Sequence, residues 1–332
     1  MKRPTLAGLL MTVLLFLPPL IFAPATAAVY PGRTAEKPTT VQTETSAPRR
    51  DADVVVRVWD GERVVERTLA DYLPGVVSGE MPATFEPAAL AAQAVAERTY
   101  IYYYMHKGPK SAHPDADVCT DPGCCSAWLD PEEARKRWGD RFEEYSARIN
   151  SAVADTDGQI ILYDGAPIMA VFHSSSAGAT AASGQVWAAD LPYLRSVASP
   201  ETGESVPNYY SVTTFSLSDF RAIFLARHPE ADLSGGAEGW ITDVVYDESG
   251  RVERLTVGGV TLSGVEMRSI FSLRSACFNV TAEGESVTFR VTGYGHGVGM
   301  SQYGANELAR QGKTWQEILQ WYYTGVTIGP AS

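Results

Sequence analysis

The stretch from Pro87 to His106 reads as a helix with no face left over for solvent. Pro87 suits a first helical turn, and from Ala88 to Val95 only Gln93 is polar. A helix that is apolar all round is a buried helix, so the chain has to fold around it. That requirement leaves Arg98, further along the same helix, at least partly buried and in need of a partner. Its neighbour Glu97 does not face it, because adjacent helical residues diverge.

Just upstream, "LADYLPGVVSGEMP" is an apolar segment that ends in Gly79-Glu80, and Pro82 blocks its continuation as a helix. Glu80 therefore sits at the end of an element, where a side chain can project into a cleft. Val76, Val77 and Met81 disfavour its charged form, which would make it a proton donor held in a dry setting. The plainer alternative is a solvated acid at a turn. A tight Arg98–Glu80 pair would hold Glu80 ionised and spoil a general acid. Arg98 is thus expected to brace the site or to touch a ligand.

The 332 residues suffice for one large domain, and the formal net charge of -12 argues against a nucleic-acid partner. Lys2 and Arg3 precede a long apolar run from Leu6 to Ala28. It reads either as a signal peptide, cleavable at Ala25-Thr26-Ala27, or as an uncleaved membrane anchor at 1–28, the reading that its length favours. Either way the rest of the chain is extracytoplasmic. Residues 29–52, rich in Pro, Thr and charge, read as a flexible linker. A hairpin around Asp60-Gly61 opens a single domain over 53–330. Strands are expected within 159–173, 241–262 and 280–292, with helices at both ends, which gives an α+β fold.

"HPDADVCTDPGCCSAW" packs His113, Cys119, Cys124 and Cys125 into one short loop. His113, Cys119 and Cys125 are spaced six and six, and imidazole with soft thiolates suits Zn²⁺. A Cys119 disulfide to Cys124 or Cys125, or free thiols, are the alternatives. Two further stretches carry polar groups. "FHSSSAG" sets His173 before Ser174, Ser175 and Ser176. It has no nucleophile elbow, so these hydroxyls and the imidazole fit sugar binding better than a serine hydrolase. "GYGHGVGMSQYGA" alternates four glycines around His296 and leads into Gln302 and Tyr303, a loop that permits close backbone approach to a ligand. The spacing and the βαβ context of a dinucleotide site are missing.

"GEMPATFEPAALAAQAVAERTY", "FHSSSAG" and "GYGHGVGMSQYGA" together resemble, in order, the motifs of the stage II sporulation protein D family, over roughly residues 53–328. The resemblance implies a SpoIID-like catalytic domain with a substrate cleft, and a peptidoglycan lytic transglycosylase acting on denuded glycan strands in septal wall remodelling and engulfment during sporulation. It implies Glu80 as catalytic acid and Arg98 at the family's arginine. Contacts to the glycan fall to Arg98, His173, Ser174, Ser175, Ser176, His296, Gln302 and Tyr303. Some members bind a structural zinc, for which His113, Cys119 and Cys125 match. Where the family usually has alanine, this chain has Glu97. The partners implied are glycan strands, a membrane reached through the N-terminal segment, and other wall-remodelling proteins such as an amidase. A non-catalytic wall-binding amidase enhancer is the alternative. One acid suffices for a lytic transglycosylase because the substrate supplies its own nucleophile, whereas a conventional glycosidase needs two carboxylates.

Overall fold

The protein is described here by a computed structural model covering residues 49–331. The expected membrane segment at 1–28 and most of the expected linker lie outside the described residues. Among the described residues, no helix is long and apolar enough to cross a membrane.

Strands β1 (Val55–Trp59) and β2 (Val64–Thr68) form the anticipated hairpin. Its turn is closed by Asp60 Oδ1, which accepts the N–H groups of Glu62 and Arg63 at 2.9 Å each, with Gly61 at φ +104°. Val56 and Val58 point into the core while Val55 and Arg57 point out, the period-2 pattern of a half-buried strand. Thr68 Oγ1 then accepts Asp71 N–H at 3.1 Å and starts α1 (Leu69–Glu80). Met81 is extended ahead of Pro82 and stops the helix at Glu80.

Helix α2 (Pro87–Lys107) runs through the middle of the molecule, and every residue from Ala89 to Tyr102 is buried. Around it gather α1, α4 (Phe142–Ala154), α8 (Gln302–Arg310), α9 (Trp315–Tyr322) and the strand β4 (Gln159–Tyr163). Between these elements lie β3 (Val118–Cys119), which pairs parallel with β1, and the amphipathic α3 (Pro131–Trp138). Strand β4 pairs antiparallel with β5 (Ala166–Pro167) and with the last strand, β14 (Thr327–Pro330). The short strand β6 (Phe172–His173) and the helix α5 (Ser183–Val186) complete this part.

A second core stands on its own aromatic residues. Its elements are β7 (Tyr210–Ser216), α6 (Leu217–Leu225), β8 (Ile241–Tyr246), β9 (Val252–Val257), β10 (Val260–Ser263), α7 (Gly264–Ile270), β11 (Phe278–Glu283) and β12 (Ser286–Thr292). They make two three-stranded sheets, β11-β12-β7 and β10-β9-β8. Phe220, Phe224, Trp240, Phe271 and Phe289 fill the space between them, with Phe220 stacked on Phe271 at 4.7 Å. The chain returns through β13 (Met300–Ser301), which pairs parallel with β6. The mixed α+β composition is as expected, and the anticipated strand regions are all occupied. Strand β7 and the α3–α4 pair were not anticipated; β7 alternates only between exposed and half-buried residues, and α3 buries a single side chain, Ala134.

Arg98 corrects one expectation. Its guanidinium is fully buried and grips Asp51 with two bonds, Nε to Oδ1 at 2.7 Å and Nη2 to Oδ2 at 2.6 Å. It also donates to the carbonyls of Gln159 and Val153. Neither Glu80 nor a ligand is its partner, since the centre of α2 is closed to solvent and the charge had to be neutralised inside. Arg50 also pairs with Asp157 at 2.8 Å, so contacts to the domain reach ahead of residue 53.

The pair predicts a sensitive position. Asp51→Asn leaves the buried Arg98 charge uncompensated and should lower the unfolding free energy by about 3–5 kcal/mol. Chemical denaturation of the variant checks this; a loss near zero would contradict the bracing role.

Candidate active site

Glu80 is presented by a close contact between α1 and the segment that follows the cysteine loop. Gly75 and Gly79 lie one turn apart on α1, and the chain Ala127–Leu129 runs directly over them. Leu129 N–H donates to Gly75 O at 2.9 Å, and Ala127 N–H donates to Glu80 Oε1 at 2.5 Å. A Cβ on Gly75 would fall 2.1 Å from Trp128 Nε1, and one on Gly79 2.7 Å from Ala127 O. Only glycine permits this approach. The Arg67 guanidinium covers the outer face of Trp128 at 4.6 Å.

From the other side, α8 holds the α1–α2 turn. Gln302 Nε2 donates to Glu80 O at 2.9 Å, and Asn306 Oδ1 accepts Glu86 N–H at 2.8 Å. Phe85 meets the Tyr303 ring edge-on at 5.0 Å. Glu80 is half-buried. Burial pushes its carboxyl above the ordinary glutamate value, against the opposing pull of the Ala127 N–H.

Glu97 lies behind it and is 1% exposed, so it is no surface acid. Its oxygens accept Gln93 Nε2–H at 3.1 Å and the Ser126 hydroxyl at 2.9 Å. Burial and then the charge of Glu80 push its carboxyl far up, while both hydrogen bonds pull the other way. The consecutive residues Ser126 and Ala127 thus hold two carboxyls, one shut in and one reaching the surface.

The same loop gathers His113, Cys119, Cys124 and Cys125, whose ligand atoms all lie within 4.8 Å of one another. All four cysteines are free thiols. Carbonyl oxygen can only accept, so His113 Nδ1–H donates to Ala116 O at 2.9 Å and leaves Nε2 bare, 3.4 Å from Cys125 Sγ. Burial raises the thiols of Cys119, to about 12, and of Cys125. Lys110 binds the carbonyl of Cys124 and sits near the Tyr100 and Tyr104 rings. Three thiols and one imidazole with a free lone pair make a donor set that fits a tetrahedral Zn²⁺. The sequence spacing had left Cys124 without a part.

The two polar loops come together, but much of their polarity is spent internally. Ser175 and Tyr294 exchange both backbone hydrogen bonds, at 3.0 and 2.9 Å, and Tyr303 N–H donates to Ser174 O at 3.0 Å. His173 is buried, its Nδ1–H on Val298 O at 3.2 Å and its Nε2 accepting the Ser176 hydroxyl at 2.7 Å. Glu201, which the sequence reading missed, accepts Ser176 N–H at 2.6 Å and the hydroxyls of Ser199 and Ser301 at 2.5 Å each. His173, Ser175, Ser176 and Gln302 are therefore interior groups rather than sugar contacts, because a tight loop satisfies its own backbone first. Ser174, His296 and Tyr303 keep partly open surfaces. His296 packs on Trp187 at 5.2 Å, and burial, then Arg268 and Arg251, push its imidazole down to about 4.

This arrangement defines a mixed α+β protein built around a desolvated acid, with a thiol–imidazole cluster bracing the strand of chain beside it. The Stage II sporulation protein family profile matches residues 60–163. The chain is 38% identical over 264 residues to stage II sporulation protein D of Bacillus subtilis, covering 79% of this chain and 75% of that protein. To its namesake in Bacillus amyloliquefaciens it is 36% identical, with 79% and 74% covered. A B. subtilis protein named amidase enhancer is 25% identical, with 77% of this chain and 40% of that protein covered. The chain belongs to the stage II sporulation protein D family.

Glu97 generates a pH prediction. Its proton is held more tightly in the folded state than at the ordinary value of 4.5. Stability from this group is therefore fully present below that value and is lost as pH rises through the window above it. Glu97→Gln keeps the shape and cannot ionise. The fall in unfolding free energy between about pH 5 and about pH 8 should shrink by about 1.4 kcal/mol for each unit of the shift removed. Denaturant titrations at the two pH values measure this, and equal slopes for both proteins would refute it.

Proposed function

We propose that the protein is a peptidoglycan lytic transglycosylase that cleaves the bond between N-acetylmuramic acid and N-acetylglucosamine in denuded glycan strands during sporulation. The observation that carries the reading is the asymmetry of the two carboxyls. Glu80 is half-buried at a helix end, whereas Glu97 is enclosed with both oxygens occupied. An inverting or retaining hydrolase would need the second carboxylate to hold a water or attack the sugar, and Glu97 has no free face for either.

With one acid the chemistry closes on the substrate. Glu80 gives its proton to the glycosidic oxygen as the bond from C1 breaks. The C6 hydroxyl of the muramic sugar then bonds to C1 and returns its proton to the Glu80 carboxylate. The product ends in a 1,6-anhydro ring, no water is consumed, and the enzyme is restored. Burial favours the protonated start, and the Ala127 N–H supports the carboxylate formed midway. Gln302 fixes the peptide of Glu80, and the partly open Ser174, His296 and Tyr303 are the side chains offered to the glycan.

The thiol cluster is read as a structural zinc site on His113, Cys119 and Cys125, with Cys124 the fourth ligand. When bound, the ion closes the loop that carries Ser126 and Ala127, and no step runs through it. The apolar run from Leu6 to Ala28 supports an extracytoplasmic domain held at a membrane. Wall-remodelling proteins such as an amidase are then natural neighbours. The relative named amidase enhancer motivates the second reading, a wall-binding protein without its own chemistry.

Incubation with denuded strands, followed by mass spectrometry of the ends, separates the two. Anhydro ends support the lyase, and unchanged strands support the binder. Glu80→Gln should lower the rate by about 10²- to 10⁴-fold while the protein stays folded and still binds glycan. The parent rate should fall as pH rises through the raised value of Glu80, since the acid must start protonated. Anhydro ends released by the variant near the parent rate would overturn the single-acid mechanism.

Metal analysis tests the zinc site separately. One zinc per chain is expected, with a drop in Tm on chelation, and Cys119→Ser should cost stability more than chemistry. Protein without zinc and with a mapped Cys119–Cys125 disulfide would contradict it.

A further inference from the structure

Three of the four widely exposed aromatic rings among the described residues belong to the second core or to the loop that leaves it: Tyr210 at 71%, Tyr246 at 45% and Tyr294 at 45%. Scattered singly they would need no account, but they gather on one surface. The inner face of the β11-β12-β7 sheet is spent on the core through Val287, Phe289 and Val291. Cross-strand partners share a face, so the outer face sets Tyr210 beside Thr292, and Arg290 between Val212 and Asn279. Tyr246 leans in from β8, its hydroxyl donating to Asn279 Oδ1 at 2.8 Å. A shallow depression of ≈ 260 Å³ lies there, lined by Tyr246, Asn279, Arg290 and Thr292 over Gly250 and Cys277.

The composition of this face selects its ligand. The centre of a protein–protein interface is depleted of charge, whereas here the ground between the rings is Arg290 with an amide and threonine hydroxyls. A sugar offers an apolar C–H face to an aromatic ring, and hydroxyl and acetamido groups around its edge to polar side chains. The polar groups are in hand. Asn279 accepts from Tyr246, and its NH₂ has no partner among the described residues. Arg290 is exposed and forms no ion pair among the described residues, in a chain whose net charge is -12. The Cys277 thiol is spent on Gly250 O at 2.9 Å and takes no part.

We propose that this face is an accessory binding surface for the glycan strand, with Tyr210 and Tyr246 taking sugar faces and Arg290 the lactyl carboxylate of muramic acid. The proposal rests on the denuded strand being the substrate. Charge and continuity both favour this occupant. Removal of the stem peptide leaves a free carboxylate on the muramic sugar, and a guanidinium complements it. Strand β12 ends at Thr292 and passes directly into the glycine loop, where the Arg274 guanidinium covers the Tyr294 ring at 4.1 Å. Tyr294 exchanges backbone bonds with Ser175, next to the Ser174 carbonyl that accepts Tyr303 N–H. A strand held on the sheet thus stays tethered beside the acid between cuts, which raises its local concentration there.

Titration of the whole protein carrying Glu80→Gln with denuded strands measures binding without turnover. The backbone amides of Asn279, Arg290 and Thr292 should shift in NMR spectra. Tyr246→Ala and Arg290→Gln, both at exposed positions, should each weaken strand affinity about tenfold. Chitin oligomers, which lack the carboxylate, should bind equally with and without Arg290→Gln. Unshifted amides, or strand affinities unchanged in both variants, would overturn the surface. So would a concentration-dependent dimer, paired along the β7 edge, that produces the same shifts without glycan. The chemistry is judged apart. Anhydro ends from the parent with unchanged affinity in the variants would remove the surface and leave the lyase. Variants that lose affinity, in a protein that makes no anhydro ends, would keep the surface and remove the lyase.

Discussion

The contact on which the rest depends is the passage of Ala127–Leu129 across the two glycines of α1. It brings a main-chain N–H to Glu80 and a hydroxyl to Glu97 within two consecutive residues. It also joins α1 and α2 to the thiol cluster that ends at Cys125. A methyl group at Gly75 or Gly79 would separate the layers by more than the side chains could absorb. The acid, its electrostatic environment and the cluster are therefore consequences of one close packing. They form one object rather than three neighbouring features.

Some of this was legible in the sequence and some was not, for identifiable reasons. Glu80 at a helix end followed from Gly79 and Pro82, because proline sterics act locally. The burial of α2 followed from composition along one helix. The partner of Arg98 did not, because Asp51 lies 47 positions away in a stretch whose composition reads as linker. Glu201 was equally silent, since a lone acid in a polar loop carries no local mark of the three donors that converge on it. Cys124 was hidden by adjacency, as regular ligand spacing favoured Cys125. His173, Ser175 and Ser176 share one loop, but their side chains are buried while Ser174 stays partly open. Residue type shows that a loop is polar, yet only tertiary contact shows where its hydrogen bonds go.

The two cores divide the labour. The helical core around α2 carries the acid and the cluster, while the aromatic core between the two small sheets supplies Arg251, Arg268 and Arg274 to the underside of the glycine loop. Glu201 couples the loops that meet between them, tying Ser176 to Ser301 and, through Ser199, to Tyr322 at 2.7 Å. A carboxylate accepting several donors in a dry setting is stable only while all the donors stay in place, so Glu201 couples the movements of the two polar loops.

The Arg98–Asp51 pair has a mechanical meaning. A pull applied to the chain ahead of residue 49 does not first meet the hairpin, whose ladder could open bond by bond. Once the Arg49 N–H to Ala331 O bond and the exposed Arg50–Asp157 pair have given way, it meets a two-pronged ionic latch set in the middle of α2, backed by the carbonyls of Val153 and Gln159. Tension arriving from that end is passed to the long buried helix α2. A fold loaded in this way takes the strain on a buried ion pair before the hairpin ladder has to open.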